Sequence, residues 1–413
     1  MATPGEATDK KTAASVRLES LRNREEPLPL DEYQLFTTLT DQSDRPETSG
    51  LPFVLLGLVG EVGSLLSELK KKQRDKDAYL AYHDSVIEEL GDVLWYLSNA
   101  ALRVGLRMST VAREVHGTLH DWQYQGRANA KTFVDLQAAE RDFQGPLSTI
   151  TVERRLIALA AVVGRLLENF SSLDVNADII ALQADFVGIF RALIAAADDA
   201  DVSLEEAARR NIEKTIGRWP TVRTWGSSYD EGYDADERLP PVIVMAFKEK
   251  YVEGRPYVIQ QCKGINIGDR LTDNRLEPDD YRFHDVFHLA YAAILGWSPV
   301  LRALLKLKRK SRPEIDETQD GARAILIEEG VSTWIFNHGV RNQDFRNVRS
   351  LDHTLLKSVR ELVRGYEVDT RPLWQWELAI LEGFRVFREL RRYRGGTVTA
   401  DLAAHSLTFE PPQ

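Results

Sequence analysis

Residues Gly60–Lys72 read GEVGSLLSELKKK, two glutamates in an otherwise hydrophobic helix that ends in a lysine run. Glu61 and Glu68 are seven residues apart, about 700° of rotation at 3.6 residues per turn, so both lie on one helix face. A second acidic pair follows in IEELGDVLWYLSNAA (Ile87–Ala101), where Glu89 and Asp92 share a face and Glu88 is the i,i+4 neighbour of Asp92. Both pairs are embedded in apolar sequence, Val59, Val62, Leu65, Leu66 and Leu69 on the first helix and Val86, Leu90, Val93, Leu94 and Leu97 on the second. Packed as an antiparallel hairpin, the two helices would point four carboxylates into one space. Carboxylates in an apolar setting need a cation, and oxygen-only ligands favour Mg2+ or Mn2+ over zinc. The competing reading is a solvated helix edge, with Glu68 paired to the lysines of Lys70–Lys72.

Working outward, helical periodicity of apolar residues covers 53–69, 86–106, 155–170, 179–197, 286–307, 322–336, 355–365 and 375–391. Strand character concentrates in PPVIVMAFKEKYVEGRPYVIQQC (Pro240–Cys262), where two β-rich runs flank Glu253-Gly254-Arg255-Pro256 and predict a hairpin. A shorter strand is expected after Gly395-Gly396. The stretch TWGSSYDEGYDADERLPP (224–241) has no period and is rich in turn formers. The expected fold class is therefore mainly α, a helical bundle followed by an α-rich domain carrying a small β-hairpin. The expected divisions are a disordered tail over 1–28, a first helical module over 29–126, a second over 150–222, a linker over 223–240 and a C-terminal domain over 241–413.

Composition narrows the function classes. The chain has 413 residues, 43% hydrophobic and 28% charged, with a net charge of −10, which argues against a nucleic-acid-coating role. Cys262 is the sole cysteine, so no internal disulfide forms and a reducing, cytoplasmic setting is expected. No apolar run reads as a membrane span, so neither nucleic acid nor membrane is expected as a partner.

GLVGEVGSLLSELKK followed by EELGDVLWYL resembles the MazG-like all-α nucleotide pyrophosphohydrolases, and DEYQLFTTLT (Asp31–Thr40) is similar to the helix that precedes them, with Tyr33-Gln34 in its usual place. The resemblance spans about residues 30–125. It implies that Glu61, Glu89 and Asp92 are metal ligands. Ser64 stands where the family has a glutamate and is a poor ligand, so either Glu68, one turn on, substitutes or the site binds fewer ions. The implied reaction cleaves a nucleoside triphosphate between its α- and β-phosphates, giving a monophosphate and pyrophosphate. Glu61, Glu68 and Glu88 form the catalytic set, with Glu88 or Glu68 taking the proton of the attacking water. Lys70, Lys71 and Arg74 are the expected partners of the leaving pyrophosphate, while Trp95 and Tyr96 either stack on a base or belong to the core.

Residues 157–220 read either as a degenerate second copy or as amphipathic helices that align through their period alone. LAAVVGRLLENF (Leu159–Phe170) aligns with LVGEVGSLLSEL when Gly164 matches Gly63, which puts Val162 at the place of Glu61 and Asn169 at that of Glu68. Asp185 and Gly188 then stand for Glu89 and Asp92. LIAAADDADVSLEEAARRNIEKTIGRWP (Leu193–Pro220) resembles the tail after the family's acidic helix. Such a copy would complete within one chain the bundle that other members build by dimerisation, and a homodimer stays possible.

In the C-terminal domain YRFHDVFHLAY (Tyr281–Tyr291) sets His284 and His288 at i,i+4, a spacing that lets two imidazoles share an ion. Glu328 and Glu329 lie in an apolar helix downstream, with Asp320 two turns earlier and Glu377 a further polar candidate. His284, His288, Glu328 and Glu329 form a candidate second metal site, while buried histidines and a helix capped by Asp279 and Asp280 would explain the same letters. Two alternatives to the pyrophosphohydrolase remain at this stage, a bifunctional hydrolase that also uses the His/Glu cluster and a non-catalytic nucleotide-binding sensor or scaffold.

Overall fold

Leucines and valines at three- and four-residue spacing demand buried helix faces, and a computed structural model of the chain supplies them in two cores. It describes residues 16–42, 50–119, 130–137, 149–172 and 179–412. The chain divides into two compact units, Met1–Val222 and Arg223–Gln413. The fold class is mainly α with one small antiparallel sheet.

In the first unit α1 (Leu30–Leu39) leads into a long hairpin of α2 (Leu51–Asp75) and α3 (Tyr82–Arg103). Then come α4 (Met108–Leu119), α5 (Phe133–Gln137), a second hairpin of α6 (Thr149–Ser172) and α7 (Ile179–Asp199), and α8 (Leu204–Arg218). The two hairpins exchange the helices that follow them. Helix α4, after the first hairpin, packs on α7, and α8, after the second, packs on α3. Ser203 caps α8, its hydroxyl accepting from the Glu206 amide. The 28-residue stretch Leu51–Ala78 is long and apolar enough by composition to cross a membrane, contrary to the expectation from short apolar runs. Its Leu51, Val54, Leu55, Leu58, Val62 and Leu65 are buried in the core of this unit.

Two sequence expectations for this unit need correction. Residues 1–15 of the expected tail lie outside the described residues, but 16–22 are helical, and Leu18, Leu21 and Leu28 are buried. The Leu28 amide donates to Glu205 Oε1 at 2.9 Å and Arg209 Nη1 donates to Arg24 O at 2.6 Å, so α8 ties this segment down. Residues 130–137 likewise belong to the unit, since Phe133 is buried and Gln137 Oε1 accepts from the Leu204 amide.

The second unit contains a five-stranded antiparallel sheet, which joins the expected hairpin to the expected strand after Gly395-Gly396 and adds two more strands. Strands β1 (Val242–Val252) and β2 (Arg255–Cys262) turn at Glu253-Gly254, both residues with positive φ, and β3 (Ile265–Leu271) extends that edge. Strands β4 (Gly395–Asp401) and β5 (Ser406–Glu410) add on the other side, giving the order β3-β2-β1-β4-β5. Pairing of β1 with β4 joins residues about 150 apart in sequence, a contact that local patterns do not encode. Ile243, Met245 and Phe247 alternate into the core.

The expected helix over 286–307 is broken at Gly296–Ser298 into α9 (Asp285–Leu295) and α10 (Pro299–Leu305). Helices α11 (Pro313–Thr318), α12 (Ala322–Arg341), α13 (His353–Leu362) and α14 (Leu373–Tyr393) complete the unit, with α9 and α14 packed together and both touching β4 and β5. The expected linker over 223–240 is packed into this unit. Trp225 stacks on His405 at 3.6 Å, Arg371 Nη2 donates to Ser227 O at 2.8 Å, and Asp230 pairs with buried Arg302. Aromatic and charged side chains hold this segment although it has no period.

The close approach of α3 and α8 depends on Gly91, where a Cβ would fall 2.6 Å from Ala207 O and 3.0 Å from Asn211 Cβ. Gly91→Ala is therefore expected to cost about 1–3 kcal/mol, the usual penalty of overpacking, read as a lower urea midpoint. An unchanged midpoint would show that α8 does not bear on α3 this tightly.

Candidate metal centre

Helices α2 and α3 bring Glu61, Glu89 and Asp92 together, each offering a carboxylate oxygen within 4.8 Å of the others. All three are half-buried. Apolar neighbours on the same helices, Val62, Leu65, Leu90 and Val93, are buried and fix how the acidic face is turned. The crowding shows in the proton affinities. Burial, then the charges of Asp92 and Glu61, push Glu89 up to about 7 from its ordinary 4.5. Glu61 is raised as well, by burial first and then by Asp92.

A cation and an amide that the sequence reading did not assign to the site come from α8. Lys214 Nζ lies 2.5 Å from Asp92 Oδ2 and 3.4 Å from Glu88 Oε1. Burial works to lower the lysine's pKa, but Asp92 and Glu88 outweigh it and hold it above its ordinary value. Asn211 Nδ2 donates to Asp92 Oδ1 at 2.8 Å, and the Tyr33 hydroxyl donates to Asn211 Oδ1 at 3.0 Å. Burial and the nearby Asp92 raise the Tyr33 pKa well above 10, so it stays a donor. The visible signal was the i,i+3 pair Asn211 and Lys214 in RRNIEK, although nothing local places α8 against the first hairpin.

Other expected members lie elsewhere. Glu68 is not in the cluster; it is buried, accepts from Lys71 at 2.5 Å and accepts from the Tyr79 hydroxyl. The physical reason is axial distance, since seven residues on one face are about 10 Å apart along a helix. Lys70 is exposed and lies still farther along α2, Lys71 is paired with Glu68, and Arg74 pairs with Asp75 at 2.7 Å, so the three expected phosphate binders are not gathered at the carboxylates. Trp95 Nε1 donates to Thr40 Oγ1 at 3.0 Å and its ring meets Tyr96 edge-on at 5.0 Å, both packed against the core. In the second hairpin Asn169 Nδ2 donates to Asp185 Oδ2 at 2.6 Å, a polar pair where the first hairpin has acids.

In the second unit, His284 and His288 converge with Asp285, which the sequence reading passed over. Glu329 lies 3.6 Å from His284 Nε2 and 3.5 Å from His288 Nε2. Glu328 is not placed to ligate an ion there, because Oε1 accepts from His288 Nδ1 and Ser298 Oγ while Oε2 accepts from the Val300 amide. Asp320 is fully buried against Arg309, and Glu377 accepts from Ser350 Oγ and the Leu351 amide. Neither belongs to the cluster.

Comparison with known proteins gives a family model, the MazG C-terminal domain, matching residues 225–413. It begins inside the segment expected to be a linker. The Gene 37 protein of Mycobacterium phage L5 is 36% identical over 90 residues, which make up 20% of this chain and 79% of that protein. No solved structure matches the chain.

The raised Glu89 has a consequence for the metal-free protein. An unfolded chain gives up this proton near pH 4.5, whereas the folded chain keeps it to about 7. Between those values the folded state binds more protons, so stability contributed by this group falls as pH rises. In EDTA, Glu89→Gln is expected to raise the unfolding temperature at pH 8, with the gap narrowing toward pH 5. A gap that does not change with pH would mean that the folded chain does not hold the Glu89 proton more tightly than the unfolded one.

Proposed function

This chain belongs to the MazG-like proteins, and on that footing we propose that its first unit is a Mg2+- or Mn2+-dependent nucleotide pyrophosphohydrolase, cleaving a nucleoside triphosphate to a monophosphate and pyrophosphate. The observation that carries the reading is the convergence of Glu61, Glu89 and Asp92 within 4.8 Å. Three hard oxygen donors that repel one another in a half-buried setting fit a hard divalent cation. When bound, such an ion neutralises phosphate charge and acidifies a coordinated water.

The chain's own groups take the remaining roles. Glu61, Glu89 and Asp92 hold the ion, and Asn211 fixes the orientation of Asp92 from the side away from Lys214. Lys214 supplies the positive charge for the phosphates, in place of the cations expected at the end of α2. Glu88, beside Lys214 at 3.4 Å, is left to accept the proton of the attacking water. With Ser64 a poor ligand and Glu68 bonded to Lys71 and Tyr79, the site offers three carboxylates rather than four. That shortfall favours a second reading, a sensor that binds nucleotide with metal and does not turn it over.

Pyrophosphate release from a panel of ribo- and deoxyribonucleoside triphosphates with Mg2+ or Mn2+ separates the two. Hydrolysis predicts release that Glu89→Ala and Asp92→Ala abolish. It also predicts that Lys214→Ala loses about tenfold or more in kcat/KM, the worth of one charge-assisted hydrogen bond, while Arg74→Ala stays near the wild type. Metal-dependent nucleotide binding without product would leave the sensor.

A further inference from the structure

The second unit holds four side chains whose ligand-type atoms face one another at the start of α9. His284 Nε2 is 3.1 Å from Asp285 Oδ1 and 3.6 Å from Glu329 Oε2, and His288 Nε2 is 3.5 Å from Glu329 Oε1. Ligand atoms of His284, Asp285 and His288 lie within 4.8 Å of one another. His288 is fully buried, His284 and Asp285 nearly so, and Glu329 is 37% exposed, so the group has buried walls and one side toward solvent.

What marks the group as a built site is the arrangement behind it. His284 Nδ1 lies 2.9 Å from Tyr281 O, a carbonyl that can only accept, so Nδ1 carries a proton and Nε2 is the ring nitrogen that faces the carboxylates. The Tyr281 ring stacks on His284 at 4.1 Å and holds its plane. His288 Nδ1 lies 2.8 Å from the Glu328 carboxylate, which is itself held by Ser298 and the Val300 amide. That contact again puts the proton on Nδ1 and turns Nε2 inward. Gln260 of β2 donates to Asp285 Oδ2 at 2.6 Å, leaving Oδ1 for the interior. A carboxylate or carbonyl on the far nitrogen of each histidine is the usual backing of a metal-bound imidazole. Buried His288 Nε2 makes no well-formed hydrogen bond, with Glu329 Oε1 3.5 Å away, a state that native proteins avoid unless another group satisfies the atom.

We propose that this unit binds a first-row divalent transition-metal ion through His284 Nε2, His288 Nε2, Asp285 and Glu329, with Tyr281, Glu328 and Gln260 as positioning residues. Two imidazoles with carboxylates select zinc, iron, cobalt or manganese over Mg2+, so this ion differs in class from the one proposed for the first unit. The site lies wholly within the second unit and does not depend on the pyrophosphohydrolase reading. The rival arrangement has both imidazoles doubly protonated and ion-paired to Glu329 and Asp285.

The test uses full-length protein in the Glu89→Ala background, which removes the acidic cluster as a competing site. The protein is stripped with EDTA, dialysed and titrated with Co2+, with visible absorption as the readout. Saturation at one Co2+ per chain is expected, reversed by Zn2+ and unaffected by excess Mg2+. His284→Gln and Glu329→Gln should each weaken binding about tenfold or more, and Gln260→Leu within the 10–100-fold range of second-layer changes. Glu329 is at the solvent side, so its variant keeps the test valid if His284→Gln misfolds, with circular dichroism as the check. No stoichiometric Co2+ band, or binding unchanged by Glu329→Gln in folded protein, would overturn the metal site and establish the ion-paired one.

Discussion

Asp92 is gripped from two sides by a helix that begins 112 residues later, Lys214 on one oxygen and Asn211 on the other. Without that grip, α2 and α3 would press three carboxylates together with no counter-charge from the protein. Lys214 relieves Asp92 and Glu88, and Asn211 passes the hydrogen-bond chain on to Tyr33 in the core. Glu61 and Glu89 keep raised proton affinity, through burial first and then the charge of Asp92. The outer edge of the cluster is thereby held by α8.

The grip in turn rests on how the two hairpins trade helices. Helix α8 follows the second hairpin yet packs on α3, and α4 follows the first yet packs on α7. The second hairpin has Asn169 and Asp185 where the first has acids, and its contribution to the acidic site is the helix it sends across. Glycine at position 91 lets that helix come close enough for Asn211 and Lys214 to reach. Within the second unit a comparable dependence centres on Glu328, whose oxygens join α9, the break at Ser298 and the start of α10. Its burial is tolerated because three donors meet it.

The sequence by itself determined the class of the fold and the core of the acidic site. Apolar residues at helical spacing place α2, α3, α6, α7, α12 and α14, and the rotation of a helix puts Glu61 on one face and Glu89 with Asp92 on another, because those relations depend only on local geometry. The turn at Glu253-Gly254 was legible for the same reason. What only the tertiary structure decided involves distance along or between elements. Rotation put Glu68 on the face of Glu61, but two turns of rise take it away from Glu89 and Asp92. The break that ends α9 is hidden by apolar residues on both sides, and it is the break that brings Ser298 and the Val300 amide to Glu328. Asp285, one residue from His284, joins the histidines because Gln260 on a strand turns it. Lys214 and Asn211 carry no local mark of the site they complete. Their part is set by which hairpin α8 chooses to pack on, a long-range contact for which neither periodicity nor spacing holds information.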